Sequence, residues 1–412
     1  MFSHRQQSTI DQYLAQYSEP DGVEITLHRQ FSQVLVIPAY SERPATLTRL
    51  WAEMPTDSLL ILVINAPALH PKTLALLAHF EGYCTRPGPQ ALWQTSLHKD
   101  KAGLLVINRC YPCALIPEQQ GVGLARKIGA DIALKLINDG TVQSPIIHST
   151  DADARLPKDY FTQIQPSDAA GWVYAYRHRL PAPEHLKTAM RLYELKLSHF
   201  TGGLRWAGSR FGHASLGSII AINAVAYAQV RGFPKRATGE DFYLLNKLAK
   251  IGPIIRLQGG RVVLSPRLSQ RVPIGTGTGV RALIDQNLEK TALFYNPETF
   301  AHLQLLLTTL TTAETTAAIE AVSDPKIQSY FTNSNCLSTF RKLEANAGRK
   351  THFQRALLNW FDGFQQLKFI HHLRDLDLPD VTLARVLQAP WFQSPHALDI
   401  RRDRLEKIRD LA

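Results

Sequence analysis

Cysteine is scarce in this chain, four residues in 412, and so few exclude a disulfide framework. Long apolar runs are missing as well. A membrane-spanning helix needs ~20 consecutive apolar residues, and the longest candidate, LGSIIAINAVAYA at 216–228, falls short. The opening MFSHRQQSTIDQYL has no apolar signal core. A cytoplasmic protein is expected. Internal repeats and low-complexity tracts are absent. Several phosphate and nucleophile motifs are present only in broken form. GVGLAR at 121–126 has Arg126 where a dinucleotide fingerprint needs its third glycine, and CALIPEQQ precedes it instead of a strand. GTGTG at 275–279 lacks the Gly-Lys-Ser/Thr of a P-loop and reads as a flexible loop. HASLG at 213–217 has His213 where a nucleophile elbow needs glycine. A nicotinamide site of the Rossmann type, a P-loop NTPase and a serine hydrolase are thereby set aside. Cys110 and Cys113 form a C-x-x-C, but no second pair or histidine set follows at zinc spacing. Pro112 and Pro117 break the segment where a redox motif would open a helix, so two reduced thiols in a loop are expected.

What is present is ordinary globular composition, 45% hydrophobic and 20% charged, at a length that suits two domains. The formal net charge is +11, and its placement is uneven. Residues 172–281 hold 17 Lys+Arg against 4 Asp+Glu, a surplus larger than that of the whole chain. Charge confined to one segment points to a local anionic partner, with a solvated basic face as the plain alternative.

Along the first 300 residues, short apolar runs alternate with amphipathic stretches. Strands are expected at 33–40, 59–66 and 103–109, and helices at 42–54 (Pro44 in the first turn), 71–82 and 121–140. Leu124, Ile128, Ile132 and Leu136 recur at helical spacing in the last of these. PIIHSTDAD is a fourth strand, and 172–176, 217–223 and 260–265 add others at less regular intervals. This alternation indicates a mixed, mainly parallel sheet flanked by helices. Beyond about Thr299 only helical periodicity is evident, as in 355–373, so 300–412 is expected to be an all-α appendage. His371 and His372, adjacent on that helix, are expected at its surface.

Two acidic sites carry the chemistry. Asp151 and Asp153 stand two apart after the apolar PII, and in an extended chain they would face one site. Two carboxylates on one face repel, and a divalent, oxygen-seeking ion resolves this. In open α/β sheets ligands also bind at the C-terminal ends of strands. A polar turn is the plain alternative. Asp159 reads as a helix-start residue. At 237–253, Glu240 and Asp241 open a helix running to Gly252-Pro253. There Thr238 with Asp241 could form a capping box, or a carboxylate could act as a general base.

In order, VLVIPAYSE, the strand ending VINAP, GVGLARKIGADIA, STDADARLPKDYF and the segment from GSIIAIN through RATGEDFYLLNKLAKIG resemble a family 2-type glycosyltransferase of the GT-A fold. The resemblance covers roughly residues 31 to 275. It implies a catalytic domain over 31–299, with a nucleotide-sugar half at 31–160 and an acceptor half at 161–299, between an N-terminal extension at 1–30 and the helical region. It implies hexosyl transfer from a nucleotide-diphosphate sugar to an acceptor hydroxyl. Pro38, Ala39, Tyr40 and Glu42 would hold the base and ribose. Asn65 stands where an acidic base contact is usual. Asp153 would ligate Mn²⁺ or Mg²⁺ on the diphosphate, with Asp151 on the ribose or sugar or assisting the metal. Arg126 would reach the donor sugar or phosphate, and Asp241, beside Glu240, would be the base. Some relatives, several of them retaining, complete the metal site with a late histidine. None occurs here between His213 and His302, which favours inversion. The basic surplus falls in the acceptor half and includes Arg177, Arg179, Arg205, Arg210, Lys235, Arg236, Arg267 and Arg271. An acceptor bearing phosphate or carboxylate, or a lipid-linked one at the anionic inner membrane face, is therefore expected, with Arg267 and Arg271 as contacts. The rivals are a sugar nucleotidyltransferase, whose glycine-rich basic loop after the first strand is missing, and a non-catalytic nucleotide-sugar binder. No nucleic-acid partner is expected, since no recognised motif is present.

Overall fold

The computed structural model describes residues 2–22, 24–88, 91–111, 114–267, 276–284, 291 and 294–393. Arg271 and Cys113 lie outside the described residues, as does Gly275 of the GTGTG run. The chain forms two units. One comprises Met1–Arg179 and Ser215–Thr278, the other Leu180–Ala214 and Gly279–Ala412.

The first unit is built on an eight-stranded sheet in the order β3-β4-β2-β1-β5-β8-β6-β9. The central strands β1 (Gln33–Ala39), β2 (Ser58–Asn65), β4 (Gly103–Arg109) and β5 (Ile146–Ser149) run parallel. All eight positions of β2 are buried, as a strand covered on both faces requires. Strand β8 (Ile220–Asn223) runs antiparallel to both β5 and β6 (Gly171–Val173), and β9 (Ile254–Arg256) pairs parallel with β6. A second sheet joins β7 (Tyr176–His178) to β10 (Val262–Leu264). The expected α/β class and mainly parallel sheet are present. Two strands are additions to the sequence reading: β3 (Trp93–Ser96), an antiparallel edge strand, and β9. Both are short, and β3 is mostly polar, so neither leaves an apolar run to read. The run at 172–176 divides between β6 and β7.

Helices α1 (His4–Gln16), α2 (Pro44–Glu53), α3 (Pro71–Glu81) and α4 (Gly121–Asn138) complete the first half of this unit. Pro44 and Pro71 sit in the first turns of α2 and α3, where a missing N–H costs nothing. α4 lies against β1, β2 and β5 and is buried almost throughout. α1 is anchored by a carboxylate. Asp131 of α4, 2% exposed, accepts from the hydroxyl of Tyr13 at 2.6 Å, that of Tyr227 at 2.7 Å, Nζ of Lys127 at 2.9 Å and the backbone N–H of Glu19 at 2.8 Å. Tyr13→Phe removes one bond to this buried anion and is expected to lower the unfolding free energy by about 1.5–3 kcal/mol. Urea denaturation reads this as a lower midpoint at unchanged slope. An unmoved midpoint would show that the hydroxyl does not tether α1.

The second unit contains α5 (Glu184–Trp206), so residues 180–214 join the later helices here. α6 (Ala224–Gln229) and α7 (Glu240–Leu248) belong to the first unit, and the expected flexible loop at 275–279 instead contributes to a short helix, α8 (Thr276–Arg281). From Pro297 onward the described elements are helical, α9 (Pro297–Thr312), α10 (Thr316–Glu320), α11 (Pro325–Ser334), α12 (Cys336–Ala347), α13 (Lys350–Trp360), α14 (Gly363–Leu376) and α15 (Leu383–Val386), with a final 3₁₀ turn at Pro390–Phe392. The single helix expected over 355–373 is broken between α13 and α14. There Asp362 accepts from the N–H groups of Phe364 and Gln365 and starts a new helix. His371 and His372 are half-buried and bonded to the Tyr295 hydroxyl at 2.8 Å and Ser329 Oγ at 3.2 Å. Among the described residues no helix is long and apolar enough to cross a membrane.

Candidate functional site

The HSTDADARLP stretch does not continue β5. The strand ends at Ser149, and a turn follows in which the N–H of Ala154 donates to the carbonyl of Asp151 at 3.2 Å. Asp151 and Asp153 are therefore neighbours in a turn, not alternate residues of a strand. The turn rests on an aromatic floor. His148 of β5 is fully buried, bonded through Nδ1 to the Tyr174 hydroxyl at 2.8 Å, and burial pushes its pKa down to about 3. Tyr174 stacks on Tyr160 at 4.3 Å. Asp159 is not a helix start either. Its Oδ2 accepts from the N–H of Gly260 at 2.9 Å and so fixes the approach to β10.

Arg126 projects from the second turn of α4 into the centre of this region. The residue is 2% exposed, and its guanidinium is bonded on all three nitrogens. Nε donates to Glu240 Oε1 at 2.9 Å, Nη1 to Ser149 Oγ at 2.8 Å, and Nη2 to Asp151 Oδ1. Asp151 Oδ2 accepts from the hydroxyl of Ser218. Glycine at 217 makes this possible, because a Cβ there would stand 2.8 Å from Cζ of Arg126. α4 opens with glycine for a related reason. A Cβ on Gly123 would meet the backbone N of Arg236 at 2.6 Å, and the N–H of Gly123 instead donates to the Arg236 carbonyl at 2.9 Å. The GVG pattern thus serves close approach of the 234–237 backbone, which leads into the GED segment.

α7 begins at Glu240, but its N-cap is Gly239 at φ 72°, with no side-chain cap bond. The capping box expected from Thr238 is not formed, and α7 ends at Leu248, short of Gly252. Neither acid is the N-cap residue, but Asp241 Oδ1 accepts from the N–H of Phe242 in the first turn at 2.7 Å. Glu240 is 5% exposed, and burial pushes its pKa upward against the opposing pull of Arg126. Asp241 is half-buried, and desolvation, reinforced by the neighbouring Glu240 charge, pushes it up to about 7.

On the other side of the motif, Arg267 binds Glu42 through two parallel bonds of 2.9 and 2.8 Å, and its Nη2 lies 3.4 Å from Asp153 Oδ2. Burial and the nearby Asp151 raise the pKa of Asp153, against the pull of Arg267. Pro38 and Ala39 end β1, and Tyr40 follows, edge-on to His70 at 5.3 Å. Asn65 ends β2, buried, its amide donating to the Val63 carbonyl at 3.2 Å. The structure thus unites Glu42, Asp153 and Arg267 in one group and Arg126, Asp151 and Glu240 in another, linked by the turn.

Ser149 and Ser218 are site residues that the sequence reading passed over. Ser218 lies 67 residues from Asp151 in the chain, and only the antiparallel pairing of β5 with β8 brings it near. Part of the basic surplus is structural. Lys235 pairs with Glu19 at 2.8 Å, Arg236 stacks over Tyr243 at 4.1 Å, and Arg231 stacks over Tyr17 at 4.5 Å. In the second unit Arg205 donates to the Gly212 carbonyl at 2.6 Å and Arg210 to the Leu358 carbonyl at 2.8 Å.

Among the described residues no group of three or more His, Cys, Asp or Glu side chains could hold a metal ion. Both Asp151 oxygens already have partners. Asp153 is a partly exposed carboxylate with Arg267 at 3.4 Å, and burial raises its pKa. Mg²⁺ is commonly held by one or two carboxylates together with substrate phosphates and water, so a single carboxylate fits that class of site. No protein-family model matches this chain, and no curated protein matches it.

Proposed function

We propose that this chain is a nucleotide-sugar-dependent glycosyltransferase with a GT-A-like domain and a helical C-terminal region. The observation that carries the reading is convergence. PAYSE, TDADA and GED lie far apart in the chain, yet Arg267 joins Glu42 to Asp153, and Arg126 joins Asp151 to Glu240. The mixed sheet supports it too, since the acids follow the C-terminal ends of β1 and β5, where open α/β sheets bind ligands.

In this reading Pro38, Ala39, Tyr40 and Asn65 line the nucleotide's place. A divalent cation held by Asp153 and donor phosphate oxygens would neutralise the charge developing on the departing diphosphate. Asp241, with a pKa near neutrality, takes the proton of the attacking acceptor hydroxyl. Glu240 and Asp151 are positioning residues, each held by Arg126. A single base and direct displacement invert the anomeric centre.

The test is a thermal-shift panel of nucleotide-diphosphate sugars with and without Mn²⁺. Ligand at about 100 times its Kd should stabilise the fold by about 2.7 kcal/mol. The shift should need both metal and one donor, and Asp153→Ala should abolish it. A shift without release of the nucleoside diphosphate in the presence of acceptors would leave a binding protein. No shift with any donor would overturn the reading.

A further inference from the structure

A cavity of about 400 Å³ opens beside Asp153, between the residues that follow β1 and those that follow β10. Five arginines line it, Arg43, Arg49, Arg155, Arg179 and Arg267, against two acids, Glu42 and Asp153. Two of the five have carboxylate partners, Arg267 on Glu42 and Arg49 on Glu53 at 3.8 Å. The side chains of Arg43, Arg155 and Arg179 make no hydrogen bond or ion pair among the described residues. Their backbone is nonetheless fixed. Arg155 pairs with Val263 in both directions at 2.9 Å, and the N–H of Arg179 donates to the Leu264 carbonyl at 2.9 Å. Arg43 immediately precedes Pro44 at the start of α2.

Uncompensated guanidinium groups around a concave space repel one another, and folding gains nothing from gathering them. Their joint positive charge is met best by a group with several anionic oxygens. A carboxylate neutralises one arginine, whereas a phosphoryl or diphosphoryl group presents enough acceptors for forked bonds to two or three. We infer that the cavity beside Asp153 is a phosphate subsite built by Arg43, Arg155 and Arg179. It stands on the cavity's own charge. Under the transferase reading it would hold either the donor's diphosphate or a phosphate on the acceptor.

Calorimetric titration of the full chain with inorganic pyrophosphate, without metal, tests this. Wild-type protein should bind, and the double variant Arg155→Gln, Arg179→Gln should bind at least about tenfold more weakly at an unchanged melting temperature, since neither side chain holds the fold together. Absence of binding to the wild type, or equal binding by both proteins, would overturn the subsite. Repeating the titration with UDP or GDP and with a hexose phosphate identifies the source. Weakening confined to the nucleotides places the donor there, weakening confined to the phosphomonoester places the acceptor there, weakening of both marks a general phosphate subsite, and weakening of neither speaks against the proposal. If pyrophosphate binding persists while every donor fails, the transferase reading falls and the subsite stands.

Discussion

Arg126→Ala is expected to cost about 3–5 kcal/mol of stability at pH 7, the magnitude for removing one partner from a buried ion pair. The substitution leaves Glu240, 5% exposed, and one oxygen of Asp151 without a cation, and it removes the donor to Ser149. Truncation alone cannot account for such a loss, since the guanidinium is polar and its departure also relieves a desolvation penalty. Most of the loss comes from the carboxylates left unpaired. pH distinguishes the two causes. Without Arg126 the pKa of Glu240, already raised by burial, rises further, and the variant's deficit shrinks as pH falls and Glu240 takes up a proton. Urea denaturation at pH 7 and pH 5 should show the smaller difference from wild type at pH 5. A deficit independent of pH would point to lost packing. Arg126→Lys keeps the charge but not the three-way fork, so it should recover only part of the stability.

How far the sequence revealed this arrangement depends on what each feature requires. Strands β1, β2 and β4 were legible to within a residue because burial on both faces demands continuous apolar runs. α4 was legible because its apolar residues repeat at helical spacing. β3 and β9 were not, since a short edge strand is stabilised by its neighbour's backbone and needs no apolar pattern. The candidate acids were visible as carboxylates in unusual places, but their partners were not. Alternation along a strand suggested that Asp151 and Asp153 share a face. In the structure they occupy a turn, and charge pairing separates them, Asp151 towards Arg126 and Asp153 towards Arg267. Pairing across 114 residues, as between Arg126 and Glu240, leaves no local trace. Arg155, which lines the cavity and pairs with neither Asp151 nor Asp153, stands two residues after Asp153 and was legible as a cation next to the motif.

Asp241→Asn is expected to reduce transfer by about 10²–10⁴-fold, the usual contribution of a positioned general base. Binding of a donor with metal should be nearly unchanged, in contrast to Asp153→Ala, which should lose both. The wild-type pH profile should carry the same signature. With its pKa pushed to about 7, Asp241 is protonated and idle in acid, so kcat/KM should fall about tenfold per pH unit below neutrality. Stability should move the other way. The folded protein keeps a proton on Asp241 between the ordinary carboxylate range and about pH 7, where the unfolded chain has released it. Stability contributed by this residue therefore falls as pH rises through that window. Asparagine has no proton to lose, so at pH 8 the variant should be at least as stable as wild type while almost inactive. A residue kept at a cost to stability and required for turnover behaves as a base. A variant that loses activity and stability together would make Asp241 a structural acid, and the proton would need another acceptor in the site.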